Sequence, residues 1–81
     1  MIVRRAAHTL DARGLACPLP LLRARRVLAG MAPGETLIVL ATDPEAPIDL
    51  AALAADEGHA FTRSQLGDAW EITLTKGAGC R

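Results

Sequence analysis

Cys17 lies in the run Leu10-Asp11-Ala12-Arg13-Gly14-Leu15-Ala16-Cys17-Pro18-Leu19-Pro20, just ahead of a stretch with helical periodicity. A helix N-terminus offers unpaired N–H groups and a partial positive charge, which favour thiolate over thiol, and thiolate is the nucleophilic form. Pro20 suits a first helical turn, where its missing N–H costs nothing. It also occupies the place where a Cys-x-x-Cys motif would carry its second thiol.

That substitution selects a chemistry. A disulfide oxidoreductase needs a neighbouring thiol to attack the mixed disulfide and close its cycle. A sulfur carrier needs the reverse, because a neighbouring thiol would attack its persulfide, form a disulfide and expel the cargo as sulfide. A lone, accessible cysteine therefore suits a carrier. The competing reading is a buried cysteine acting as a small hydrophobe. Two prolines and the upstream Gly14 argue instead for a loop-to-helix junction.

Other side chains carry weaker signals. Asp11 either folds its loop by accepting backbone N–H bonds or acts on the thiol; because a carboxylate against Cys17 would oppose ionisation, scaffolding is the expected role. Gly14 supplies a backbone conformation that other residues resist. His8 and His59 are expected as partly exposed strand-end residues, with action as a base for the cysteine as the alternative. Arg23, Arg25 and Arg26 form either a solvated helix face or a docking stripe beside the thiol. Cys80, in the glycine-rich end Gly77-Ala78-Gly79-Cys80-Arg81, is a spare thiol or a second thiol that resolves a persulfide on Cys17. The spacing of Cys17, Cys80, His8 and His59 lacks the paired short intervals of structural zinc sites, so no metal is expected.

These residues need elements to hold them, and the chain reads as β-α-β-α-β-β. A first strand begins near Ala6 and ends over His8 to Leu10. From Pro18 or Leu19 to about Met31, apolar residues recur at Leu21, Ala24, Leu28 and Met31, the spacing of one helical face. Ala32-Pro33-Gly34 stops that helix, and Thr36 to Ala41 is a continuous apolar run expected as a central strand. After the Asp43-Pro44 loop, a second helix is expected from Ala46 or Pro47 to Glu57. Its apolar face is Ile48, Ala51, Ala52 and Ala55, and Gly58 is its stop. Phe61 to Gln65 and Trp70 to Thr75 read as strands around Leu66-Gly67-Asp68. Two helices can cover one face of a four-stranded sheet, giving an α/β two-layer sandwich with a mixed sheet.

At 81 residues, with nine basic and nine acidic side chains, the chain is one expected domain with no net field to attract nucleic acid or an anionic membrane. Residues 76–81 are expected to form a flexible tail. No charged-then-apolar segment opens the chain and no apolar run reaches the length of a membrane span. Two distant cysteines make no disulfide framework, so the expected compartment is the cytoplasm, where thiols stay reduced.

The chain resembles the TusA/SirA family of small sulfurtransferase proteins, whose Cys-Pro-x-Pro box is preceded by an aspartate and a glycine at the spacing of Asp11, Gly14 and Cys17. Further landmarks follow in order: Met31 to Glu35 before a strand, Asp43-Pro44 after it, Gly58-His59 between helix and strand, and a last strand ending at Lys76. The resemblance implies that Cys17 accepts sulfane sulfur as a persulfide and relays it, with Pro18 and Pro20 as support and no cofactor beyond the covalent sulfur. It implies a donor such as a cysteine desulfurase or rhodanese, and an acceptor relay protein or thiolation enzyme. Relatives of this kind serve tRNA thiolation, molybdenum cofactor assembly, sulfur oxidation and selenium metabolism. It further implies a sheet ordered 1-2-4-3 with strand four opposing the rest, similar to the C-terminal domain of a bacterial translation initiation factor. The alternative function is a thiol-based regulatory module, or a redox sensor in which Cys17 pairs with Cys80.

Overall fold

The computed structural model describes residues 7–77. Within them run β1 (Ala7–Ala12), α1 (Leu19–Ala29), β2 (Thr36–Ala41), α2 (Ala46–Glu57), β3 (Ala60–Leu66) and β4 (Ala69–Thr75). The sheet is ordered β1-β2-β4-β3, with β1 and β2 parallel and β4 antiparallel to both β2 and β3. This is the expected α/β architecture and strand order.

The period of two along β2 decides which face is covered. Leu37, Val39 and Ala41 are completely buried, while Thr36, Ile38 and Leu40 are half-buried on the other side. Register carries the buried face across the sheet: Leu37 lies opposite Leu74 and Val39 opposite Ile72, all four fully buried. Onto that face α1 contributes Pro20, Ala24 and Leu28, and α2 contributes Ala46, Pro47, Leu50, Leu53 and Ala54.

The face of α2 differs from the sequence expectation. Ile48 is 61% exposed, and Ala51, Ala52 and Ala55 do not enter the core. Two stripes with helical spacing run along this helix, and the one holding Leu50 and Leu53 removes more apolar area from water than one built mainly on alanine. In α1 Leu21 is only half-buried and Pro20 takes the inward place. The helix stops at Ala29 rather than Met31 because the N–H groups of Gly30 and Met31 turn back to the carbonyls of Val27 and Leu28. Met31 still packs into the core. Gly58 ends α2 with φ of 80°, the left-handed cap that favours glycine, its N–H bonded to the Ala54 carbonyl.

Strand ends were shifted by pairing that periodicity does not reveal. β1 continues to Ala12 because Asp11 and Ala12 pair with Leu40 and Ala41. Lys76 and Gly77, assigned to a tail by sequence, are tied down: Lys76 exchanges backbone bonds with Gly34 and Glu35, and its ammonium donates to the Leu28 carbonyl. Gly77 N–H donates to His59 Nδ1 at 3.0 Å. Ala6, the expected start of β1, and residues 78–81, including Cys80, lie outside the described residues.

The two faces of α2 give opposite expectations. Leu50→Ala should cost about 2–5 kcal/mol by transfer and cavity terms, and Ile48→Ala less than about 0.5 kcal/mol. Urea unfolding of both variants checks the assignment. Equal losses would mean that α2 presents a different face to the sheet.

Candidate functional site

Because β1 and β2 are parallel and each leads into a helix, their two β–α loops leave the same end of the sheet. Ligands of α/β sheets gather outside such carboxyl ends. One loop, residues 13–18, carries Cys17. The other, residues 42–45, and the first turn of α2 carry Thr42, Asp43, Glu45 and Asp49.

The loops are joined by hydrogen bonds. Gly14, at φ of 82°, donates its N–H to Thr42 Oγ1 at 3.0 Å. A left-handed φ strains any residue with a Cβ, so glycine meets a backbone requirement here. Asp43 forms the second link: one carboxylate oxygen accepts Cys17 N–H at 2.6 Å and the other accepts Glu45 N–H at 2.9 Å. The latter is the local aspartate turn that starts α2. Asp43 therefore fixes its own loop and the backbone of the thiol together.

Cys17 is exposed. Its Sγ donates to Asp49 Oδ2 at 3.2 Å. That bond, then loss of hydration, then the negative charges of Asp49, Asp43 and Glu45 push the thiol pKa up. The sequence expectation was the opposite, a thiolate favoured by the N-terminus of α1. The Cys-Pro-x-Pro run itself explains the difference. Pro18 and Pro20 have no N–H, and Leu19 N–H is engaged by the Ala16 carbonyl at 2.9 Å. The first turn of α1 therefore has few amides left to offer a thiolate, while three carboxylates stand nearby. The Cys17-Pro18 peptide is cis.

Asp11 is not turned to the sulfur. Its carboxylate accepts Arg13 N–H at 3.1 Å, Nε at 2.9 Å and Nη2 at 2.8 Å. Arg13 holds its pKa down, to about 2. The bond from Arg13 N–H folds the turn after β1, which is open to solvent. His8 and His59 are not gathered with the thiol; both stand at the opposite end of the sheet, before or at the starts of β1 and β3. His8 Nε2 pairs with Glu35 at 3.2 Å. His59, expected to be partly exposed, has a side chain only 3% exposed, held between Glu57 and the Gly77 N–H. Among the described residues no group of three or more His, Cys, Asp or Glu side chains is arranged to hold a metal ion.

Arg23, Arg25 and Arg26 project from α1 and are exposed. Arg23 and Arg26 line an open groove with Leu10, Leu22 and Val27, and Arg25 lines a second hollow with Leu21, Asp49 and Asp56. Among the described residues none of the three forms a salt bridge. Leu19 and Leu22, 41% and 46% exposed, add apolar surface near the thiol.

Sequence reasoning missed Thr42, Asp43 and Asp49 as parts of the site. The available signal was topological: in β-α-β-α order with parallel strands, both β–α loops must meet at one edge, so the residues after β2 belong beside Cys17.

Residues 8–76 match the family described as Sulfurtransferase TusA. A candidate sulfur carrier protein of Neisseria meningitidis serogroup A is 53% identical over 53 residues, covering 65% of this chain and 72% of its own. The sulfur carrier protein TusA of Allochromatium vinosum is 46% identical over 56 residues, 69% of this chain and 74% of its own. The crystal structure of a SirA-like protein from Desulfitobacterium hafniense superposes with a TM-score of 0.76 at 30% identity, over 85% of this chain and 96% of that one. With an exposed cysteine held at the carboxyl ends of its parallel strands, this chain belongs to the sulfurtransferase TusA family.

Proposed function

We propose that the protein is a sulfur carrier that takes sulfane sulfur as a persulfide on Cys17 and passes it to an acceptor thiol. The observation that carries this reading is the exposed Cys17 thiol on a loop pinned by Asp43, with a proline where a resolving cysteine would otherwise sit. Membership of the sulfurtransferase family supports it.

In the loading step Cys17, as thiolate, attacks the outer sulfur of a donor persulfide. A new S–S bond forms as the donor's S–S bond breaks, and the electron pair leaves on the donor sulfur, which takes up a proton. Sulfur is transferred with no net oxidation. Delivery repeats the step, with an acceptor thiolate attacking the outer sulfur and Cys17 leaving. Rates follow the thiolate fraction and the access of the attacked sulfur. Pro18 and Pro20 fix the backbone beside the sulfur, and Asp11 and Gly14 shape the turn before it. Nothing beyond the covalent sulfur is required as a cofactor.

A cysteine desulfurase or a rhodanese is the fitting donor, and a relay protein or thiolation enzyme the fitting acceptor. Arg23 and Arg26, in one groove with Leu22, and Arg25, in the hollow beside Asp49, offer docking cations for a partner with acidic side chains around its own sulfur. Among the described residues no helix is long and apolar enough to cross a membrane. A reducing compartment such as the cytoplasm keeps the thiol available.

Cys17→Ser should abolish the addition of whole sulfur atoms to the protein after incubation with a persulfide donor, because a hydroxyl cannot form a persulfide. Intact-mass measurement reads the result, and wild-type loading of the variant would remove the central claim. Reversing these charges, as Arg23→Glu with Arg26→Glu, should slow loading by a donor protein on the order of tenfold at low salt, with the loss shrinking as salt rises. A rate unaffected at low salt would assign the arginines to a solvated face. Cys80→Ser should load and deliver at the wild-type rate; a longer-lived persulfide in that variant would instead make Cys80 a resolving thiol.

A further inference from the structure

We propose that Asp49 is a positioning residue for Cys17, holding the unloaded sulfur through the thiol hydrogen bond and losing that hold once sulfur is loaded. The inference rests on the carrier reading above. Its geometric basis is the 3.2 Å contact from Sγ to Asp49 Oδ2, made by a half-buried residue in the first turn of α2. Asp49 is itself fixed there: its N–H donates to the Glu45 carbonyl at 2.9 Å, and its carboxylate lies at the positive end of α2. Asp43 meanwhile holds the backbone of Cys17 from the preceding loop. Two carboxylates from consecutive segments thus grip one residue at two points, its amide and its sulfur.

The contact distinguishes the two states of a carrier. An empty Cys17 has one hydrogen on sulfur, and Asp49 accepts it. In a loaded Cys17 the inner sulfur is bonded to carbon and to the outer sulfur, so it has no hydrogen to donate. An ionised outer sulfur is repelled by Asp49, Asp43 and Glu45. The same carboxylate therefore retains the empty thiol and turns the loaded sulfur outward, toward a partner. Proton balance is simple: the hydrogen that Asp49 held leaves Cys17 during loading and ends on the donor's departing thiolate.

The charged groups facing this pair are few. Asp43 and Glu45 come from the β2–α2 loop. From α1, Arg25 shares a hollow with Asp49, and Asp56 lines the same hollow two turns further along α2. The thiol's pKa is shifted upward, and the charges that raise it are those of Asp49, Asp43 and Glu45.

The test is the pH profile of Cys17 alkylation by iodoacetamide, a neutral reagent that local charge does not steer, read at Cys17 by peptide mass in the full chain. Asp49→Asn should move the midpoint to lower pH and raise the rate at pH 7 severalfold, because removing the negative acceptor favours thiolate. Asp49→Glu, which keeps the acceptor, should hold the wild-type midpoint, and so should Asp56→Asn, which removes an equal charge that does not touch sulfur. In wild type the folded midpoint should lie above that of the same thiol in the urea-unfolded chain, a comparison that needs no variant. An unmoved midpoint in Asp49→Asn, an equal shift in Asp49→Glu or Asp56→Asn, or equal folded and unfolded midpoints would overturn the proposal. Alkylation involves no sulfur transfer, so these results stand apart from the loading assay on Cys17→Ser.

Discussion

Parallel pairing of β1 with β2 is the constraint on which the site depends. A parallel pair requires a crossover, here α1, and it sends both β–α loops out of the same end of the sheet. Cys17 and Asp43, 26 residues apart in sequence, are thereby within one hydrogen bond of each other. An antiparallel β1 would have put the Cys17 loop at the end that now holds His59 and Lys76. The central position of β2, with Leu37, Val39 and Ala41 fully buried, anchors that geometry in the core.

The electrostatics of the site follow from which backbone donors remain. A helix N-terminus ordinarily favours an anion through several free amides acting together. The box at α1 places proline at two of the positions concerned and bonds Leu19 N–H to Ala16, so the helix offers little to the sulfur. Asp43 then takes the Cys17 amide and Asp49 the thiol hydrogen. The prolines fix a backbone shape, and the carboxylates favour the protonated thiol. For a carrier the combination is coherent: exposure gives partners access to the sulfur, and the thiol hydrogen bond restrains an idle nucleophile.

The two ends of the sheet divide the work. At the far end His59, Glu57, Gly77, Lys76, Glu35 and His8 are joined to one another or to backbone, closing the end of β4 against the loops there. These are stabilising contacts among residues whose types alone would also suit catalysis. At the near end stands the exposed Cys17, held by Asp43 and Asp49, and α1 carries its exposed arginines away from it along the covered face of the sheet. Stability and chemistry are thus separated along the strand axis, a common division in folds whose active loops follow the parallel strands.

The sequence by itself determined the order of elements and the turns that separate them. Those are local matters: the apolar run Thr36 to Ala41, the left-handed cap at Gly58, the turn at Gly14 and the two prolines act within a few residues of themselves, and the family resemblance added the strand order. The face of α2 was ambiguous because its alanine stripe and its leucine stripe have the same spacing, and only packing against Leu37, Val39 and Ile72 chose the leucines. The tethering of Lys76 and Gly77 and the burial of His59 likewise depend on partners far along the chain. The decisive case is the charge on Cys17. Read locally, a cysteine before a helix is shifted toward thiolate; placed in three dimensions, it faces Asp43, Glu45 and Asp49 from a distant segment, which shift it the other way, and Coulomb interaction acts through space with no regard to sequence separation.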